Sequence, residues 1–182
     1  SVLAYTSERE RWTVIIDELF YLAQSRSDSG DPAEPNPFTD HDALYESQIL
    51  DVRYDGIRSV LGIIFEMRLA DRIRDCSSAL IVASGVGEFS WRQIGRHGQR
   101  TAWTVLASKP RLATDSIGME LLTSPNARLD FSAEHASYYS LTLAGIDDDS
   151  APPDYLNSSI DEVRAEIAGW QSAASIVREV HV

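Results

Sequence analysis

The stretch Val60-Leu61-Gly62-Ile63-Ile64-Phe65-Glu66-Met67-Arg68-Leu69 decides the fold class. Leu61, Ile63, Phe65, Met67 and Leu69 alternate onto one face, and Val60, Gly62, Ile64, Glu66 and Arg68 onto the other. A period of two is the mark of a strand. Both faces are apolar at the start, so that end is expected to be covered on both sides. At the far end Glu66 and Arg68 are expected to meet water.

Working outward, Leu50, Val52 and Tyr54 alternate with Asp51 and Arg53, and Asp55-Gly56 is a two-residue hairpin signal. Downstream, residues 71–77 form a polar connection. Residues 79–83 are an all-apolar run of the kind found in a central strand, and the pattern continues through Gly85-Val86-Gly87 to Phe89 and Trp91. The two glycines suggest a bulge within that strand rather than half of a dinucleotide fingerprint. Further strands are expected over residues 102–107, ended by Pro110, and around Ile117, Met119 and Leu121. Two more follow around Leu129, Phe131 and Ala133, and over residues 138–143, with a turn at Ser124-Pro125-Asn126 before them. Residues 176–182 are a candidate final strand. Short connections between consecutive strands predict an antiparallel meander.

Two helices flank these strands. Ser7 with Glu10 forms a capping box ahead of Trp12, Ile15, Ile16, Leu19, Leu22 and Ala23 at helical spacing. Ser159 with Glu162 forms a second, ahead of a buried face of Ile160, Val163, Ile167 and Trp170. The expected architecture is α+β: an antiparallel meander sheet of about six to seven strands, as a half-barrel or sandwich, with an N-terminal and a C-terminal helix packed on it. At 182 residues the chain is expected to form a single domain over residues 1–182.

The chain carries a net charge of −12, which disfavours nucleic acid and anionic membranes and would attract a basic partner. No apolar run is long enough for a membrane helix. Cys76 is the one cysteine, so no internal disulfide exists and a reducing cytoplasm is the expected compartment. No signal peptide is visible in Ser1-Val2-Leu3-Ala4-Tyr5.

Acidic residues gather in two places. Residues 25–42 form an acidic, Pro-rich loop with Asp28, Asp31, Glu34, Asp40 and Asp42. Its composition offers little to bury, so it is expected to be mobile. Residues 145–157 form a second acidic loop with Asp147, Asp148, Asp149 and Asp154. One reading is a solvated surface that keeps the protein soluble; the other is a docking face for a partner. Tyr138-Tyr139 points one ring to each face of a strand, so one is expected to be exposed, and Tyr138 joins the acids as a candidate partner-binding residue.

Catalytic signatures are scarce. No Walker loop, Gly-x-Ser-x-Gly elbow or His-Glu-x-x-His stretch occurs. Asp40-His41-Asp42 offers metal-type ligands, but adjacent residues rarely face one ion together, so a solvated acidic turn is expected. Glu134-His135 has acid–base side chains, His97 lies in the Gly95–Gly98 turn, and Cys76 sits beside Asp75, whose charge would raise a thiol pKa. No residue is assigned a catalytic, metal or cofactor role.

The run Asp51-Val52-Arg53-Tyr54-Asp55, then Leu61 through Arg68, then Leu80-Ile81-Val82 through Gly85-Val86 to Phe89-Ser90-Trp91, resembles small actinobacterial domains of unknown function. Over residues 44–172 the layout is similar to that of single-domain immunity proteins of bacterial polymorphic toxin systems. That resemblance implies a non-enzymatic inhibitor that binds a toxin directly, with a basic toxin or effector domain as partner. It assigns no residue. The alternatives are a small-molecule binding module with its ligand in the concave sheet face, and an enzyme without a recognisable motif.

Overall fold

The computed structural model describes residues 13–22, 27–95 and 100–182. The Ser7–Glu10 capping box, Trp12, Ala23 and His97 lie outside the described residues.

Over the described residues the architecture is mostly antiparallel sheet with two short helices. The elements are β1 (Thr13–Ile15), α1 (Ile16–Tyr21), β2 (Gln48–Asp55), β3 (Val60–Glu66), β4 (Ser78–Ser84) and β5 (Glu88–Gln93). β6 (Trp103–Ala113), β7 (Ser116–Ser124), β8 (Ala127–Ala133), β9 (His135–Leu143), α2 (Ile160–Ala165) and β10 (Ala173–His181) follow. Among the described residues the strands form one 10-stranded sheet in the order β1-β10-β9-β4-β3-β2-β6-β7-β8-β5.

This strand number corrects the expected six or seven. The tail strand exists as β10, and β1 adds to its edge. The third additional strand comes from the long 79–91 pattern, which breaks in two. Gly85 adopts φ +63°, in the left-handed region that favours glycine, and a Cβ there would lie 2.7 Å from the Glu134 side chain. The chain turns at that point, and β5 pairs with β8 instead of extending β4. The glycines therefore form a turn, not a bulge.

Consecutive pairing holds for β2-β3-β4 and for β6-β7-β8, each a meander. The β8–β9 junction departs from it. Only Glu134 separates these strands, yet β9 is third in the sheet order and β8 ninth. A one-residue link cannot span six strand spacings, so the sheet must fold over on itself. The shared core confirms this: Ile63, Ile81 and Tyr138 pack in one cluster with Met119, Leu129 and Phe131. The fold-over joint is at β2–β6, which pair only at Gln48↔Thr104 and Ile49↔Trp103.

The outer face of β3, β4 and β9 carries a second core. Ile64, Leu80, Tyr139 and Leu141 are covered there by Ile16, Leu19 and Phe20 of α1 and by Trp170. Gly62 makes that packing possible, since a Cβ would meet Trp170 at 2.6 Å and Phe20 at 2.7 Å. β9 is thus buried on both faces. Tyr138 is 0% exposed and Tyr139 3%, so neither ring reaches solvent and Tyr138 is a core residue.

Several local readings change for physical reasons. The β2–β3 turn is longer than two residues, with the positive φ at Ser59 (54°) rather than at Gly56. β6 runs through Pro110, which is tolerated because β6 has already parted from β2 there and needs no N–H on that side. Glu66 and Arg68 do not meet water. They form a doubly bonded ion pair at 2.8 Å whose side chains are 1% and 3% exposed. The Arg68 guanidinium also donates to Ser150 Oγ and to the carbonyls of Ala151 and Glu166, pinning the 145–157 loop over the end of β3. The Ser159–Glu162 capping box forms as expected, but Ile160 is 43% exposed and Trp170 lies beyond the helix.

Candidate functional site

Most of the expected acidic docking residues already serve the fold. Asp28 Oδ1 accepts from the His181 N–H, and the neighbouring Ser29 exchanges both backbone bonds with Glu179. Together they cover the outer edge of β10. Asp31 accepts from Ala33 N–H, Asp40 from Asn36 N–H and Asp42 from Ser108 N–H. Phe38, between them, is fully buried with Ala43 and Leu44. The 25–42 segment thus contains a hydrophobic anchor that its composition concealed. Glu34 Oε2 is buried without a hydrogen-bond partner.

In the second loop Asp147 accepts from Asp149 N–H and Asp148 from Thr142 Oγ1. Asp154 caps Leu156 and Asn157. Its carboxyl is held below the ordinary range, first by the Asn157 side chain and then by these backbone donors. Both loops touch the β3–β4 connection, through Arg72 to His41 O and through Arg68 to Ser150. Asp147, Asp148, Asp149 and Asp154 occupy an exposed loop, with their charges in water.

The reactive side chains are less available. Among the described residues no group of His, Cys, Asp and Glu has metal-site geometry. Cys76 is buried, and burial foremost, then Asp75, pushes its thiol up to about 12. Asp75 also binds Ser140 Oγ and Arg178 Nε, tying the β3–β4 connection to β9 and β10. A hydroxyl–imidazole–carboxylate chain runs from Ser137 Oγ to His181 Nδ1 at 2.8 Å and from His181 Nε2 to Glu179 at 3.3 Å. Such a chain can activate a nucleophile. Here Ser137 is 0% exposed, so the hydroxyl is sealed between strands and joins β9 to β10.

An aromatic-lined cleft of about 400 Å³ opens to solvent between β2, β5 and β6. Its walls are Ile49, Val52 and Tyr54 from β2, Phe89 and Trp91 from β5, and Trp103 at the start of β6. Each strand aims its rings there for a local reason. In β2 the register slips between Ile49 and Asp51. That bulge puts Val52 on the same core face as Ile49, and Tyr54 follows two residues on. In β5 plain alternation puts Phe89 and Trp91 inward and Glu88, Ser90 and Arg92 outward.

The rings form two pairs. Tyr54 and Phe89 lie 5.7 Å apart across the cleft, and Trp91 meets Trp103 edge to face at 5.3 Å. Tyr54 is 45% exposed, while the other three are partly buried against the core. Asp51 borders the cleft, but its carboxylate accepts from Trp170 Nε1 at 2.7 Å on the opposite face of the sheet. The cleft offers apolar and aromatic contact. Sequence reasoning missed it because its members lie on three separate strands. The available signal was the Phe89-Ser90-Trp91 alternation at a place where the outward neighbours are polar.

Among the described residues no helix is long and apolar enough to cross a membrane. Comparison with known protein families, with curated proteins and with solved structures found no match.

Proposed function

We propose that the protein is a binding protein whose recognition site is the aromatic cleft between β2, β5 and β6. The observation that carries this reading is the convergence of Tyr54, Phe89, Trp91 and Trp103 on one solvent-open space of about 400 Å³. A folded domain gains by burying such rings, and aromatic side chains left accessible in a concave site are the usual means of holding an apolar group. The ligand presents an aromatic or branched aliphatic group to the rings, and its binding needs no chemistry from the chain.

The test is titration with a neutral fluorescent apolar dye, N-phenyl-naphthylamine. Saturable enhancement is expected, lost in Trp91→Ala and Phe89→Ala and kept in Leu112→Ala, an exposed apolar control outside the lining. Enhancement that survives both cleft variants would overturn the reading.

A second reading is direct inhibition of a basic toxin, as an immunity protein does. The net charge of −12 and the exposed acids of residues 145–157 favour it. In that case a basic protein would be the macromolecule that presents the apolar group, with the acids steering its approach.

A further inference from the structure

We propose that β5 is a strand-acceptor edge: an extended, positively charged peptide segment adds along Glu88–Gln93 and seats alternate apolar side chains in the aromatic cleft. This rests on the reading of the cleft as the recognition site and names its occupant.

β5 ends the sheet order, so one side of its 6-residue backbone has no strand neighbour among the described residues. A row of unpaired N–H and C=O groups is a template for another strand. The sheet's other terminus is managed differently. There β1 lies along part of β10, and Ser29 with Asp28 covers the rest through bonds to Glu179 and His181. Among the described residues that end of the sheet is the three-residue β1, whereas β5 offers a six-residue edge without a strand neighbour.

The aromatic cleft lies beside that edge. β2 stops pairing with β6 after Ile49, so its remaining length, through Asp51 to Asp55, pairs only with β3. β2 therefore stands as a wall opposite β5, with Val52 and Tyr54 facing Phe89 and Trp91. A strand added to β5 rises about 3.3 Å per residue and points every second side chain to one face. Those side chains would enter the cleft while the intervening ones face solvent. Backbone bonds supply affinity and the aromatic lining supplies selectivity, which is the division of labour in strand addition.

Charge selects between occupants. Two copies of a chain of net charge −12 repel, whereas a basic segment is attracted. A small apolar molecule would fill the cleft and leave the β5 backbone unused.

The experiment uses the full chain and a capped peptide of about eight residues in which valine and threonine alternate, with lysine at each end. Amide hydrogen exchange is read with and without peptide at saturation. Alternate amides of Glu88–Gln93 are expected to slow by about tenfold or more. N-methylation of the peptide on the bonded edge should abolish binding, while methylation of the intervening amides leaves it. Unchanged exchange along β5, or equal tolerance of both methylated peptides, would overturn strand addition. If the apolar dye still binds in that event, the cleft reading survives and only the occupant is wrong. A concentration-dependent dimer that the peptide does not dissolve would assign the edge to a second copy and likewise overturn the proposal.

Discussion

Replacing Arg68 with Met tests the internal logic of the fold most sharply. Arg68 and Glu66 are both nearly sealed from solvent, and two 2.8 Å bonds join them. Removing the guanidinium strands the Glu66 carboxylate in the interior and frees Ser150 Oγ and the carbonyls of Ala151 and Glu166. Breaking a buried pair by deleting one partner costs about 3–5 kcal/mol. In a domain of this size that lowers Tm by roughly 10 °C, at about 2–4 °C per kcal/mol. The exposed Arg74–Asp71 pair, with side chains 72% and 54% accessible, is the matched control. Arg74→Met should cost under about 1 kcal/mol. The assay is urea unfolding of both variants followed by near-UV circular dichroism, with hydrogen exchange of residues 145–157 as a second readout. The double variant Glu66→Met, Arg68→Met should recover much of the loss, because no charge is then buried alone. If Arg68→Met costs no more than Arg74→Met, the burial argument fails.

Gly62→Ala should destabilise by about 1–3 kcal/mol, since the new methyl must displace the Trp170 and Phe20 rings; a neutral urea midpoint would refute that packing. Phe38→Ala should cost about 3–5 kcal/mol and raise exchange throughout residues 27–42, whereas an unchanged midpoint would return that segment to the status of a free loop. Cys76 should resist a thiol-specific disulfide reagent in the folded protein and react on unfolding. Its folded thiol holds its proton to about 12 while the unfolded thiol releases it near 9.0, so unfolding sheds a proton between those values. Stability should therefore fall as pH rises through that window, and Cys76→Ala should flatten the fall. Asp147→Asn, Asp148→Asn and Asp149→Asn together should leave the fold intact, because Asn keeps the accepting oxygens, yet slow association with a basic partner at low salt.

The strands themselves were legible in the sequence. Alternation located β2, β3, β7, β8 and β9, and the Ser159–Glu162 box marked the α2 start through bonds of 2.7 and 3.2 Å. Pairing was not legible, because it depends on long-range partners. Nothing near Glu134 announces that the chain crosses from one end of the sheet order to the other. Burial at Glu66 and Arg68 was hidden for the same reason: the segment that covers them lies about a hundred residues on, at Ser150 to Glu166. The cleft was the least legible feature. Its aiming device is a bulge at Ile49/Asp51, and a register slip leaves no mark in local composition. The acidic loops also have structural work that composition does not show. Asp and Asn cap turns as readily as they dock partners, and Asp31, Asp40 and Asp154 are spent on backbone N–H groups.

The most direct test of the central claim is a proton–nitrogen correlation spectrum that follows the indole N–H signals during titration with N-phenyl-naphthylamine. Trp91 and Trp103 line the cleft, whereas Trp170 packs on the opposite face of the sheet against Phe20. The account predicts that the Trp91 and Trp103 indole signals move together and saturate with the dye fluorescence, assigned by Trp91→Phe and Trp103→Phe. Dye binding that saturates while both signals stay in place would contradict it.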